Sequence, residues 1–172
     1  MRKIVFLDID GVLNHHAFWD RYVEEHGKHV GMHHELCPIS MGHLNRLLDE
    51  TGAEVVVSST WRLGRSLEEL QEVLEANGFT GEVVGKTMNS YSNRRLWEKY
   101  HQLRGRQIMA YIREHLEEGD RFVILDDDSD MGPMLPWFVQ TGFKEGLLPH
   151  HVEIAKCVLL EGKTLTDNRP EE

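Results

Sequence analysis

Two aspartates one residue apart, Asp8 and Asp10, stand at the end of the apolar run Ile4-Val5-Phe6-Leu7 and are followed by Gly11. Such a run has the pattern of a strand buried on both faces in a parallel sheet. Side chains alternate along a strand, so both carboxylates leave its C-terminal end on one side, with Ile9 turned away into packing. Two carboxylates in one small volume repel each other unless a cation or a shared proton compensates. The C-terminal edge of a parallel sheet is also where open α/β proteins bind their ligands. Gly11 supplies the backbone freedom to leave the strand sharply.

Two more apolar runs end in polar residues. Val55-Val56-Val57 leads into Ser58-Ser59, and Phe122-Val123-Ile124-Leu125 leads into Asp126-Asp127-Asp128-Ser129-Asp130. Parallel strands deliver all three ends to one edge of the sheet. A carboxylate cluster of this kind suits Mg²⁺, which prefers oxygen ligands and keeps several waters and a substrate phosphate. Hydroxyls, a nearby cation and a helix N-terminus can hold the phosphate oxygens. Together these are the parts of a phosphoryl-transfer site.

The elements that must position these groups alternate between strand and helix. A helix runs from Ser40 through Met41, Leu44, Leu47 and Leu48 and ends at Gly52. Ser66 caps the next, with Glu69 in capping-box spacing and Leu67, Leu70, Val73 and Leu74 facing inward, and Asn77-Gly78 stops it. A short strand is expected around Val83-Val84. A helix then opens at Gly105, runs through Ile108, Met109, Ile112 and Leu116, and closes at Gly119. Phe138–Thr141 reads as a last short strand and His151–Leu160 as a last helix. The alternation predicts an α/β fold, a parallel sheet with helices on both faces. Trp137 and Phe138 read as core residues.

Residues 14–38 are weakly periodic and carry His15, His16, His26, His29, His33 and His34, the composition of a flap or short helix plus loop over the sheet edge. Their spacing matches no closed metal site. We expect one domain over residues 1–163, with 14–38 as a flap-like insertion and 164–172 as a polar tail.

With 172 residues, 40% of them hydrophobic and 28% charged, the chain can bury a real core. No stretch is apolar for long enough to span a membrane, and Met1-Arg2-Lys3 leads into a strand without a signal-peptide cleavage pattern. Cys37 and Cys157 do not make a disulfide framework, so a cytoplasmic protein is expected. The net charge of −10 excludes the overall basic field of proteins that grip long nucleic acid. Positive charge is concentrated locally, in Arg94, Arg95, Lys99, Arg104 and Arg106. That cluster is either a solvated helix face or a guide for a nucleic-acid end.

Taken in order, Asp8-Ile9-Asp10-Gly11-Val12, the hydroxyl after Val55-Val56-Val57, Arg104-Gly105 at a helix start and Asp126-Asp127 resemble the four motifs of the haloacid dehalogenase (HAD) superfamily of phosphatases and phosphotransferases. More closely, the stretches FLDIDGVLN, SSTWR, RGRQI, ILDDDSDM and FVQTGFKEGL are similar to the HAD domains of multidomain RNA-repair proteins, although no ligase or kinase module accompanies them here. The resemblance implies a Rossmann-like HAD fold with a minimal cap, since residues 14–38 leave room only for a flap and 86–103 only for a short excursion. It also implies residue roles. Asp8 would be the nucleophile that forms an aspartyl-phosphate, and Asp10 the general acid and base. Ser58, or Ser59 if the strand ends one residue later, would bind a phosphoryl oxygen. Arg104 would neutralise the intermediate, with Arg106 and Lys86 as possible substitutes. Asp126 and Asp127 would complete a Mg²⁺ site with Asp8 and the backbone carbonyl of Asp10. Asp130 would serve through water or cap a turn, and Asp128 reads as solvated. Trp61 and Arg62 would either pack or touch a substrate base.

The implied activity is a Mg²⁺-dependent phosphomonoester hydrolase, and an open site favours a nucleic-acid 3′-phosphate or a nucleotide as partner. Two rivals are a phosphatase of small metabolites or nucleoside monophosphates and a non-catalytic module that binds a phosphorylated ligand. The intact Asp8 and Asp10 pair speaks against the last. If Arg94 and Arg95 hold the backbone of an oligonucleotide, replacing both with alanine should raise its KM and flatten its salt dependence while leaving a mononucleotide unaffected. Steady-state kinetics on both substrates across a salt series checks this, and equal effects on the two would make these arginines a solvated face.

Overall fold

The computed structural model describes residues 1–27, 35–88 and 104–165. His29, His33 and His34 of the expected flap, Arg94, Arg95 and Lys99 of the basic stretch, and residues 166–172 of the tail lie outside the described residues.

The first apolar run forms strand β1, Lys3–Leu7, in the middle of a five-stranded sheet. Ile4, Val5, Phe6 and Leu7 have no exposed surface, as a strand covered on both faces requires. β2 (Glu54–Val57) and β4 (Arg121–Asp126) pair with it in parallel, β3 (Val83–Lys86) flanks β2, and β5 (Phe138–Gln140) flanks β4. The order is β3-β2-β1-β4-β5 and every pairing is parallel.

Alternation along the strands sends side chains to two cores. Val5, Leu7, Val55, Val57, Val123 and Leu125 pack against helices α2 (Pro38–Thr51), α3 (Leu67–Glu75) and α5 (Pro149–Glu161). Ile4, Phe6, Val56 and Ile124 face α4 (Arg104–His115) and the 3₁₀ segment Gly132–Trp137. The first crossovers therefore lie on one face and that through α4 on the other. Their divergence makes the boundary between β1 and β4 the switch point, with a crevice beyond the strand ends. The Asp8 and Asp126 ends flank that boundary.

Helix boundaries follow local chemistry. Ser66 and Glu69 exchange capping-box hydrogen bonds of 3.2 and 2.7 Å at the start of α3, as their spacing predicts. α2 starts at Pro38 rather than Ser40, because a proline at the first helical turn sacrifices no hydrogen bond. α5 likewise starts at Pro149, two residues before the expected His151. α4 begins at Arg104 and ends at His115, short of Gly119. Within the flap-like region, α1 (His16–His26) is a helix with no buried residue, capped by the His15 imidazole and closed by Gly27. Phe138 belongs to the core, whereas Trp137 is only partly buried against it. Cys37 and Cys157 are both free.

Gly105 is set by packing. A Cβ there would overlap the backbone carbonyl of Met131, so the first turn of α4 and the loop after β4 approach as closely as two backbones allow. Gly105→Ala should force them apart and lower stability by about 2 kcal/mol. Urea denaturation checks this; an unchanged midpoint would mean that the helix shifts freely.

Candidate active site

Asp8 continues β1, its N–H donating to the Leu125 carbonyl at 2.9 Å, and Ser58 continues β2 in the same way, donating to Leu7 at 2.8 Å. Asp8, Asp126 and Asp127 each place a carboxylate oxygen so that all three atoms lie within 4.8 Å of one another. Asp8 and Asp126 are buried and Asp127 is half-buried. Gly11 takes φ +74°, and a Cβ there would overlap the Asp127 carboxylate, so glycine is needed both for the turn and for the contact. The Thr141 hydroxyl donates to the Gly11 carbonyl at 2.8 Å and ties this turn to the end of β5.

Arg104 closes the cluster from above. Its Nη1 lies 3.7 Å from Asp8 Oδ1 and its Nε 3.6 Å from Asp126 Oδ2, distances of ion pairs rather than hydrogen bonds. Asp130 fixes the start of α4, accepting from the Arg104 N–H at 2.9 Å through its carboxylate and from the Gly105 N–H through its carbonyl. Asp130 thus anchors the first turn of α4 across the fold, a contact that neither expected role, service through water or capping of its own turn, describes. Of the alternative cations, Lys86 donates its ammonium to the Arg65 carbonyl, and Arg106 is an exposed residue of α4. The geometry thus brings Arg104 to the carboxylates.

Burial pushes the Asp8 carboxyl up; the neighbouring Arg104 cation, the Ser59 hydroxyl and the Ile9 N–H act against that shift. Asp126 is pushed up to about 7, by burial first and by the charge of Asp8 second. Asp127 moves up for the same two reasons. Among the described residues, three carboxyls thus share one corner with the Arg104 guanidinium. Asp126 Oδ2, Arg104 Nη1 and the Ser58 hydroxyl are buried there without a hydrogen-bond partner. Buried polar atoms are normally paired. A set of hard oxygen donors with such an orphan fits a divalent cation, and the unpaired hydroxyl and N–H fit oxygens of an anionic ligand. Both serines sit at the site, Ser58 by its unpaired Oγ and Ser59 by its proximity to Asp8, and Ser59 also caps the next turn by accepting from the Trp61 N–H at 3.3 Å.

The residues flanking this set were harder to foresee. Arg62 is buried and spends its guanidinium on the carbonyls of Ser58 (3.0 Å), Ser59 (2.6 Å), Thr87 (3.0 Å) and Met88 (3.4 Å) and on Gln107 (2.8 Å). It clamps the ends of β2 and β3 to α4. Of the two roles open to Trp61 and Arg62, the observed burial and internal hydrogen bonds of both favour packing. Trp61 donates its indole N–H to Asp10, and so does the Asn14 amide, at 2.7 Å. Asn14 lies four residues from Asp10 within one turn, whereas the Trp61 contact joins segments that meet only in the fold and is announced by no motif.

A five-stranded all-parallel sheet with helices on both faces is a Rossmann-like α/β domain, and the acidic cluster, Arg104 and the two serines stand at its strand ends. The profile of the HAD domain in Swiss Army Knife RNA repair proteins matches residues 4–152, and the chain belongs to that family. No curated protein and no solved structure matches it. Among the described residues, no helix is long and apolar enough to cross a membrane.

The raised carboxyls carry a consequence for stability. Without metal, the folded protein holds protons between pH 4 and 7 that the unfolded chain, with ordinary aspartates, releases. Stability contributed by this cluster is therefore greatest near pH 4 and falls as pH rises to about 7. Asp126→Asn should flatten this dependence, and Mg²⁺ should restore stability at pH 7.5. Denaturation midpoints in chelator at pH 5 and 7.5, compared between wild type and variant, check the sign; an identical pH slope in the two proteins would contradict it.

Proposed function

We propose that this HAD domain is a Mg²⁺-dependent phosphomonoester hydrolase that works through an aspartyl-phosphate on a nucleic-acid 3′-phosphate end or a nucleotide. The observation that carries the reading is the meeting of Asp8, Asp126 and Asp127 with Arg104 and the unpaired Ser58 hydroxyl in one buried corner. Asp8 attacks phosphorus, the bond to the leaving oxygen breaks, and Asp10 donates its proton to that oxygen. Asp10 then takes a proton from the water that hydrolyses the acyl phosphate, which frees Asp8. Ser58 and Ser59 hold phosphoryl oxygens, and Arg104 offsets the negative charge that gathers at Asp8. Asp8, Asp126 and Asp127, with the backbone carbonyl of Asp10, would hold Mg²⁺, which when bound neutralises carboxylate and phosphoryl charge.

The family's association with RNA-repair proteins supports the nucleic-acid end as substrate. The net charge of −10 favours a second reading, a small-metabolite or nucleoside monophosphate phosphatase. A Mg²⁺-dependent screen across sugar phosphates, nucleotides and oligonucleotides with 3′- or 5′-phosphate separates the two, since only the first reading expects the 3′-phosphorylated oligonucleotide to lead. Asp8→Asn should lose roughly a thousandfold or more of kcat, because an amide is no nucleophile. Its stability at pH 7.5 should equal or exceed that of wild type, since a buried charge beside Asp126 is removed. Near wild-type turnover in that variant would overturn the mechanism.

A further inference from the structure

We infer that Trp61 is a positioning residue for Asp10, holding its carboxylate in the orientation from which it exchanges protons with substrate and water. The inference rests on the acid/base role proposed for Asp10. Asp10 lies beyond the end of β1, on a turn that glycine makes sharp, and it is only half-buried. A carboxylate in that place has two free torsions and would sample several poses. Two donors from different segments remove that freedom. The Asn14 amide donates to Oδ1 at 2.7 Å, and the Trp61 indole N–H spans both oxygens, 3.3 Å from Oδ1 and 3.1 Å from Oδ2. One donor fixes an oxygen; two donors approaching from β1's turn and β2's turn fix the plane.

Trp61 is itself held on every side. Its ring is buried in the core that contains Leu70 and Leu74, and the Arg65 guanidinium lies 5.6 Å from the ring centroid. Its backbone N–H donates to the Ser59 hydroxyl, and its backbone carbonyl accepts from Arg65 Nη1 at 2.9 Å. Asn14 is buried and locked through its other amide atom, whose oxygen accepts the Gly11 N–H at 3.2 Å. A buried indole N–H needs some acceptor, and any nearby carbonyl would satisfy it. Here it takes the carboxylate two residues from the nucleophile, so the rigidity of the core reaches the group that must be placed. The hydrogen bond that Trp61 sends to the site ends on Asp10. Its effect passes through Asp10.

The test is Trp61→Phe, which keeps the aromatic packing and deletes the N–H, alone and combined with Asp10→Asn. Protonation of the leaving oxygen matters most for poor leaving groups. The variant should therefore lose about tenfold in kcat on an alkyl phosphate while staying within about twofold of wild type on an activated aryl phosphate. In the Asp10→Asn background the same change should have no effect beyond about twofold on either substrate, since there is no acid left to position. A spectroscopic arm needs no activity: the indole N–H resonance missing in Trp61→Phe, one of four tryptophans, should shift in Asp10→Asn. Equal losses on both substrates, a full loss that persists in the Asp10→Asn background, or an unmoved indole resonance would overturn the positioning role and leave the phosphatase reading standing. A wild-type protein inactive on every phosphomonoester would overturn that reading and this inference with it.

Discussion

Three carboxyls converge where β1 and β4 leave the sheet, and among the described residues Arg104 is the cation at ion-pair distance from them. Everything around the site serves to keep that unfavourable concentration of charge in place. Burial and mutual repulsion push Asp8, Asp126 and Asp127 towards their neutral forms, and Arg104, at ion-pair distance from two of them, offsets only part of this. Arg104 in turn depends on the start of α4. Asp130 caps that start, and Gly105 lets it settle on the Met131 backbone. The acidic residues after β4 thus divide their labour: the first two face the site, while the last anchors the arginine that faces them.

Two arginines show how placement decides the role of one side chain. Arg104 keeps a buried Nη1 without a hydrogen-bond partner, at ion-pair distance from Asp8. Arg62 spends its planar fork on four backbone carbonyls and Gln107 at the ends of β2 and β3. A lysine could not span those acceptors, because its ammonium offers donors from a single point. The clamp binds the carbonyls of Ser58 and Ser59, so the backbone that carries both hydroxyls is held in place. Catalytic constellations need this kind of support, because small errors in placement are costly.

Much of the fold was legible because it is written in local patterns. Continuous apolar runs marked β1, β2 and β4, and the Ser66 and Glu69 capping box set the start of α3. Asp8, Ser58, Asp126 and Asp127 could be grouped from sequence because parallel strands share one exit edge, and register then follows from burial on both faces. Element ends were less legible where proline extends a helix at its first turn, as at Pro38 and Pro149.

The sequence by itself determined the strand order's raw material, the acidic and hydroxyl residues at the strand ends, and the resemblance to a HAD domain. Only the tertiary structure decided which cation faces the carboxylates. The resemblance pointed to Arg104 while spacing left Arg106 and Lys86 open as substitutes, and the packing of α4 is what brings Arg104 to the carboxylates. The structure alone also decided between the packing and substrate-facing readings of Trp61 and Arg62, which are buried supports, with Trp61 reaching Asp10 across fifty-one residues of chain. Contacts of that kind join segments far apart in sequence. They carry no local periodicity, because only the closure of the sheet brings their partners within hydrogen-bond reach.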